Sequence, residues 1–235
     1  VAVPLPPSFQ ASVESGVEQL PIVSAVVQRT APTEFRGSDN SDIDGEATYV
    51  PIDPCQPVIA ALRIASQEHI LRTFIDIEDD FYEPTADMLP DAYALKQVSV
   101  ERFAAAALPT LAPPDDGSQT TRIHWMANEL HRLTKSYDSI LLVCGLREWP
   151  WIRDAFQTVI DRPADPPRAP QTADLFPVQP ETVMFMLGEL PFITGQYEHA
   201  RSNLDNDENL SVDGVKSLLL AARDHYRLEF KTRSR

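Results

Sequence analysis

The chain has 235 residues, 43% hydrophobic and 23% charged, a composition that suits one sizeable core or a core with a small appendage and excludes global disorder. Asp and Glu outnumber Lys and Arg by 35 to 20, giving a formal net charge of -15, so the surface is unsuited to phosphate recognition and no nucleic-acid partner is expected. The longest apolar runs fall far short of the roughly 20 residues that span a bilayer. With no run of that length no membrane partner is expected, and two cysteines, Cys55 and Cys144, are too few for a disulfide framework, so a reducing, cytoplasmic location is expected.

The first residues, VAVPLPPSF, have neither the basic start nor the continuous apolar stretch of a signal peptide, and read as a chain cut from something longer. Residues 8–20 carry apolar groups at helical spacing, and PIVSAVVQ (21–28) is β-branched and short enough for a buried strand. Residues 30–47 are rich in Thr, Pro, Gly, Ser and Asp, which marks a solvated loop. Within it NSDIDGE resembles the start of a calcium loop. However, Asn40 takes the first position and Pro51 the twelfth, where a bidentate Glu is needed.

The next segments, TYVPID (48–53), PVIAALRIASQEHI (57–70) and RTFIDIE (72–78), predict strand, helix and strand. Pro57 suits a first helical turn, and Val58, Ala61, Leu62, Ala65 and Ile70 fall largely on one face. The unit reads as a βαβ crossover with two parallel strands. An acidic, Pro-containing connection (79–96) and a helix around VSVERFAAAAL follow, the latter ended by Pro109. Residues 119–136 predict a strong helix with Ile123, Met126, Ala127, Leu130 and Leu133 in one stripe. ILLVCG (140–145) is the next strand and WIRDAFQTVI (151–160) the next helix. Strand and helix alternation implies an α/β fold, a mainly parallel sheet flanked by helices, over residues 1–160. Six prolines in residues 161–180 predict a stiff linker, and residues 181–235 predict an all-helical C-terminal appendage.

In open α/β sheets ligands gather beyond the carboxyl ends of the strands. The three predicted strand ends are Asp53-Pro54-Cys55, Asp76-Ile77-Glu78-Asp79-Asp80 and Cys144-Gly145-Leu146-Arg147-Glu148. A parallel sheet would bring these carboxylates side by side, where they can share a proton, bind a divalent metal or activate water. Asp53 precedes a helix and is expected to cap it. Asp76 lies between Ile75 and Ile77 inside an apolar strand, where an unpaired carboxylate is costly, so it needs a specific partner. Arg122, early in the helix before ILLVCG, can reach a carboxylate in a bidentate pair. His124 is expected as a half-buried histidine and Cys144 as a small buried residue, not a nucleophile. Trp149, Pro150 and Trp151 are expected to wall the sheet edge, with Trp149 and Arg147 available to a ligand. No Walker, Rossmann or Gly-x-Ser-x-Gly pattern occurs, which disfavours dinucleotide and nucleoside-triphosphate chemistry.

YVPIDPCQPVIAALRIASQEHILRTFID together with TRIHWMANELHRLTKSYDSILLVCGLREWPWI resembles the TraB, ChaN and erythromycin-esterase-like group of α/β proteins. That group has an Arg-x-x-x-Met-Ala helix, matched by Arg122, Met126 and Ala127, then an apolar strand and a Gly-x-x-His motif. Here the motif reads Gly145-Leu146-Arg147-Glu148, so Glu148 stands where the histidine would, and no Gly-x-x-His lies in residues 1–47. Metal-dependent peptidase, haem-binding and esterase functions are attributed to the group, so the resemblance implies a fold and not one reaction. Two functional classes follow. The first is a hydrolase-like or ligand-binding domain acting on a small molecule or peptide. In it Asp76, Arg122 and Glu148 are catalytic, Asp53, Arg147 and Trp149 bind ligand, and Asp76 with Glu148 is a candidate divalent-metal pair. The second is a non-catalytic interaction domain with a decayed site that docks a protein partner through residues 181–235.

Overall fold

The computed structural model describes residues 1–29, 47–78, 98–114, 117–158, 172–203 and 210–230. The candidate calcium-loop stretch, the acidic connection 79–96 and the first half of the expected linker lie outside these residues. The fold is mixed α/β, and the chain divides into two units: residues 1–87 with 108–178, and residues 88–107 with 179–235.

At the centre of the first unit is a strand that composition alone did not reveal. β1 (Ala2–Val3) pairs in parallel with β4 (Thr73–Phe74), Ala2 opposite Thr73 and Val3 opposite Phe74, and bridges in parallel to Leu142 on its other side. The ladder runs from the Val1 carbonyl, which accepts from the Thr73 N–H at 2.9 Å, to the Leu5 carbonyl, which accepts from the Asp76 N–H at 3.1 Å. On the opposite side the Ala2 N–H donates to the Leu141 carbonyl at 2.8 Å, and the Val143 N–H donates to the Ala2 carbonyl at 3.0 Å. ILLVCG, read from sequence as a strand, therefore flanks β1. Its backbone is extended along the ladder but pairs over a short length.

The two-residue period of a strand sends alternate side chains to opposite faces, and here each face meets its own core. Val3 and Phe74 enter a cluster with Phe9, Val13, Val17, Val26, Ile52, Ile59 and Leu62, whereas Ala2 and Ile75 enter one with Ile123, Met126, Ala127, Leu130, Leu133 and Ile152. The first cluster is supplied by α1 (Gln10–Glu18) and α2 (Pro57–Gln67), the second by α4 (Gly117–Thr134) and α5 (Trp149–Gln157). The parallel ladder is thus the middle layer, and the stripe read along α4 is buried as expected.

The βαβ expectation for 48–78 is corrected. β3 (Ala47–Ile52) does not join the ladder; it pairs antiparallel with β2 (Ser24–Arg29), which pairs antiparallel with β5 (Ala173–Pro177) on its other edge, giving the order β3-β2-β5. Among the described residues, parallel pairing is confined to β1, β4 and Leu142. β5 also corrects the linker expectation at its C-terminal end. Pro177 is tolerated because it ends the strand on a sheet edge, where its missing N–H costs no internal bond. α1 packs directly on this sheet, and Gly16 is what permits the approach. A Cβ there would stand 2.8 Å from Ile52 Cγ1 and 3.0 Å from Leu175 Cδ1.

α2 buries Ile59, Leu62 and Ala65, while Ile70, expected on the same face, is exposed. His69 adopts a left-handed φ of 55° and turns the chain out of the helix before Ile70 is reached. The second unit contains α3 (Val100–Ala107), the helix read around VSVERFAAAAL, together with α6 (Val183–Met186), α7 (Pro191–Asn203) and α8 (Leu210–Phe230), helices in the region read as helical beyond residue 180. α7 and α8 meet where Gly214 faces Ile193, with a Cβ at Gly214 falling 2.8 Å from Ile193 Cγ1.

Candidate functional site

Asp76 is the first residue of the β4 chain to leave the apolar core. Its N–H still belongs to the ladder, and its Oδ1 accepts from the N–H of Ile77 at 2.9 Å, which sets the carboxylate at the carboxyl end of the strand. Arg122, in the second turn of α4, is aimed at the same point. Its Nε donates to Asp76 Oδ1 at 2.9 Å and Oδ2 at 2.7 Å, and its Nη2 lies 2.6 Å from Oδ2. The remaining nitrogen, Nη1, donates to Glu148 Oε1 at 2.6 Å.

Glu148 reaches this position because the chain turns after the extended 140–144 segment. The N–H groups of Glu148 and Trp149 both donate to the Gly145 carbonyl at 3.1 Å, and Glu148 becomes the N-cap of α5. Its side chain does not cap its own helix; it turns to Arg122. The three residues therefore come from three segments separated by 46 and 26 positions, and one guanidinium holds both carboxylates.

The electrostatics follow from that count. Two carboxylates share one cation, so the fully ionised cluster carries net charge -1 in a poorly solvated position. Burial pushes the Asp76 carboxyl above its ordinary range; the charge and hydrogen bonds of Arg122 and the Ile77 N–H oppose the shift, and Glu148 adds to it by repulsion. The Arg122 guanidinium and the Ile77 N–H supply the donors that offset this repulsion and burial. Exposure separates the roles: the Asp76 side chain is 6% exposed, whereas Arg122 and Glu148 are 22% and 23% exposed. Only the latter two face solvent enough to meet a ligand.

The expected partner for Asp76 and the bidentate role for Arg122 thus coincide in one interaction. Asp53 does not share the ladder, because it follows β3 in the antiparallel sheet. It is fully buried, and its Oδ1 accepts from the Cys55 N–H at 2.9 Å in a local turn, while the N-cap of α2 is Gln56. The expectation that Asp53 caps the helix is corrected accordingly. Arg147 is half-buried in the 145–148 turn. Trp149 is 39% exposed at the start of α5, with Pro150 buried and Trp151 packed against the second core.

No family model, curated protein or solved structure matches this chain.

A divalent metal does not suit the cluster. Among the described residues no group of three or more His, Cys, Asp or Glu side chains converges on a point, and both carboxylates of the candidate pair are spent on the guanidinium between them. A hard cation needs several oxygen ligands and would have to displace Arg122. Cys144 is half-buried beside the second core, and burial, with the nearby Glu148 charge, pushes its thiol up to about 11. A thiol held there is mostly protonated near neutrality, which disfavours its attack as a thiolate. His124 is half-buried on α4, its carbonyl accepting from Asn128 Nδ2 at 2.8 Å.

The sequence reading missed a second clamp at this end of the ladder. Glu78 Oε1 and Oε2 accept from the Ser8 N–H and hydroxyl, both at 2.7 Å, and fasten the chain after β4 to the turn that enters α1. The available signal was the Glu78 in IDIEDD together with a Ser preceding a helix. Among the described residues, no helix is long and apolar enough to cross a membrane.

Proposed function

We propose that the chain is a hydrolase-like or ligand-binding domain of the TraB, ChaN and erythromycin-esterase type, working through the Asp76–Arg122–Glu148 cluster without a metal at that position. The observation that carries this reading is the sharing of one guanidinium by two carboxylates at the carboxyl ends of parallel segments, with one solvent-reachable carboxylate and one buried. Glu148 is the acid or base that meets a substrate or water. Arg122 offers its guanidinium to a substrate carboxylate or to the oxyanion that develops on attack. Asp76 positions Arg122 from behind. Arg147 and Trp149 flank Glu148 in sequence and supply the ligand contacts of the same edge. The substrate is a small ester or peptide.

The test is a panel of esters and peptides assayed with the full chain, Glu148→Gln and Asp76→Asn. Loss of kcat by about 100-fold or more in Glu148→Gln, the usual scale of a lost general acid or base, with unchanged circular dichroism, supports the reading. Equal turnover in the wild type and Glu148→Gln overturns it.

A second reading rests on α8, where Val215, Leu219, Tyr226, Leu228 and Phe230 are all exposed. Such a surface suits a domain that docks a protein partner through residues 181–235. Partner association lost in Leu219→Ser with Leu228→Ser, but kept in Glu148→Gln, favours this reading over catalysis.

A further inference from the structure

The antiparallel sheet has a second face, turned away from α1. Pairing fixes which residues share it. Val27 stands opposite Tyr49 on one side and Asp174 on the other, and Ala25 stands opposite Phe176. Alternation then places Arg29 with Val27 and Ala25, while Ser24, Val26 and Gln28 take the opposite, buried face, from which Val26 enters the first core. On this outer face Val27, Arg29, Thr172, Asp174 and Phe176 line an open cavity of about 360 Å³, within the range of small-molecule sites.

Two features of the lining stand out chemically. Arg29 and Asp174 carry opposite charges on one face, and Arg29 lies two residues beyond the strand partner of Asp174, a diagonal spacing of roughly 7–8 Å between backbones. Among the described residues neither side chain makes an ion pair, with the other or with any group. Between and beside them are the apolar surfaces of Val27 and Phe176, the latter 44% exposed. A cation, an anion and an aromatic wall around one cavity match the parts of an α-amino acid.

We infer that this face binds a small apolar zwitterion, an α-amino acid or the like, whose carboxylate meets Arg29, whose ammonium meets Asp174 and whose side chain lies on Phe176 and Val27. The zwitterion bridges the gap that a direct ion pair would have to close, and the guanidinium accepts a carboxylate in a bidentate fork. Because the site is open and its charges are hydrated, affinity is on the order of 1 mM. The site lies on a different sheet from the Arg122 cluster and is independent of the activity proposed there.

The test is an NMR titration of the full chain with L-phenylalanine, 3-phenylpropionate and 2-phenylethylamine, following backbone amides of β2 and β5. L-phenylalanine is expected to bind about fivefold more tightly than either analogue, the contribution of about one exposed ion pair. Asp174→Asn is expected to erase the advantage over phenylpropionate, and Arg29→Gln the advantage over phenylethylamine. Both positions are exposed, so the fold survives either change. Equal affinity for the three probes, an advantage that survives both substitutions, or no amide shift on β2 and β5 at about 10 mM L-phenylalanine overturns the proposal. None of these outcomes bears on hydrolysis at Glu148.

Discussion

Removing the guanidinium of Arg122 would leave Asp76, whose side chain is 6% exposed, facing Glu148 with no cation between them. Breaking a buried pair in this way costs about 3–5 kcal/mol, because the stranded carboxylate keeps its desolvation penalty. Arg122→Ala is therefore expected to lower the free energy of urea unfolding by about 3 kcal/mol, and Asp76→Asn by clearly less, because the amide is uncharged. The raised Asp76 carboxyl also sets a pH dependence. Its folded-state proton affinity exceeds that of the unfolded chain, so the stabilisation is complete below the ordinary value of 3.8 and is lost as pH rises through the raised folded value. Unfolding measured from pH 3.5 upward should show this decline in the wild type and not in Asp76→Asn. Burial chiefly, and after it the Glu148 charge, push the Cys144 thiol up, so Glu148→Gln should speed alkylation of Cys144 by iodoacetamide at pH 8, read by mass spectrometry.

Two glycines mark the difference between a packing requirement and a motif at the level of elements. At Gly16 a methyl group would press on Ile52 and Leu175 between α1 and the antiparallel sheet, and overpacking of this kind costs about 1–3 kcal/mol. Gly145, the glycine of the degraded Gly-x-x-His pattern, is different. An added Cβ would meet only Glu148 Oε2 at an ordinary 3.6 Å, and no glycine among the described residues has a positive φ. Gly16→Ala should lower the thermal midpoint by several degrees, whereas Gly145→Ala should leave it within about 1 °C. Calorimetry on the two variants checks both. Residue 145 is therefore not required to be glycine by space or backbone conformation; what matters at that turn is its carbonyl, which accepts the N–H groups of Glu148 and Trp149.

The first unit depends as a whole on β1, which holds the 73–76 and 141–143 segments together and sends Val3 and Ala2 into different cores. Val3→Asp places an unpaired charge in a fully buried position and should abolish cooperative unfolding of this unit, seen as lost near-ultraviolet dichroism. The same change would scatter Asp76 and Glu148, so any hydrolytic activity should fall with the fold and not independently of it.

Much of this was written in local patterns. The α4 stripe from Ile123 to Leu133, the helix and strand at 8–28, and the demand of a carboxylate between Ile75 and Ile77 for a partner all follow from side-chain periodicity and the cost of burying charge, which act over a few residues. Asp76 and Glu148 were legible as carboxylates after apolar segments, and Arg122 as a helix cation able to pair with a carboxylate, for the same reason. What only the tertiary structure decided was pairing. A β-branched segment shows that it forms a strand but not beside which neighbour, because ladder bonds are backbone bonds common to every residue. Hence TYVPID joined β2 and not the parallel ladder, ADLFP became a sheet edge in spite of its proline-rich surroundings, and two residues at the start of the chain became the middle strand. The junction of two carboxylates on one guanidinium depended on that pairing, since it joins residues brought together only when β4, α4 and the turn before α5 meet at one end of the ladder.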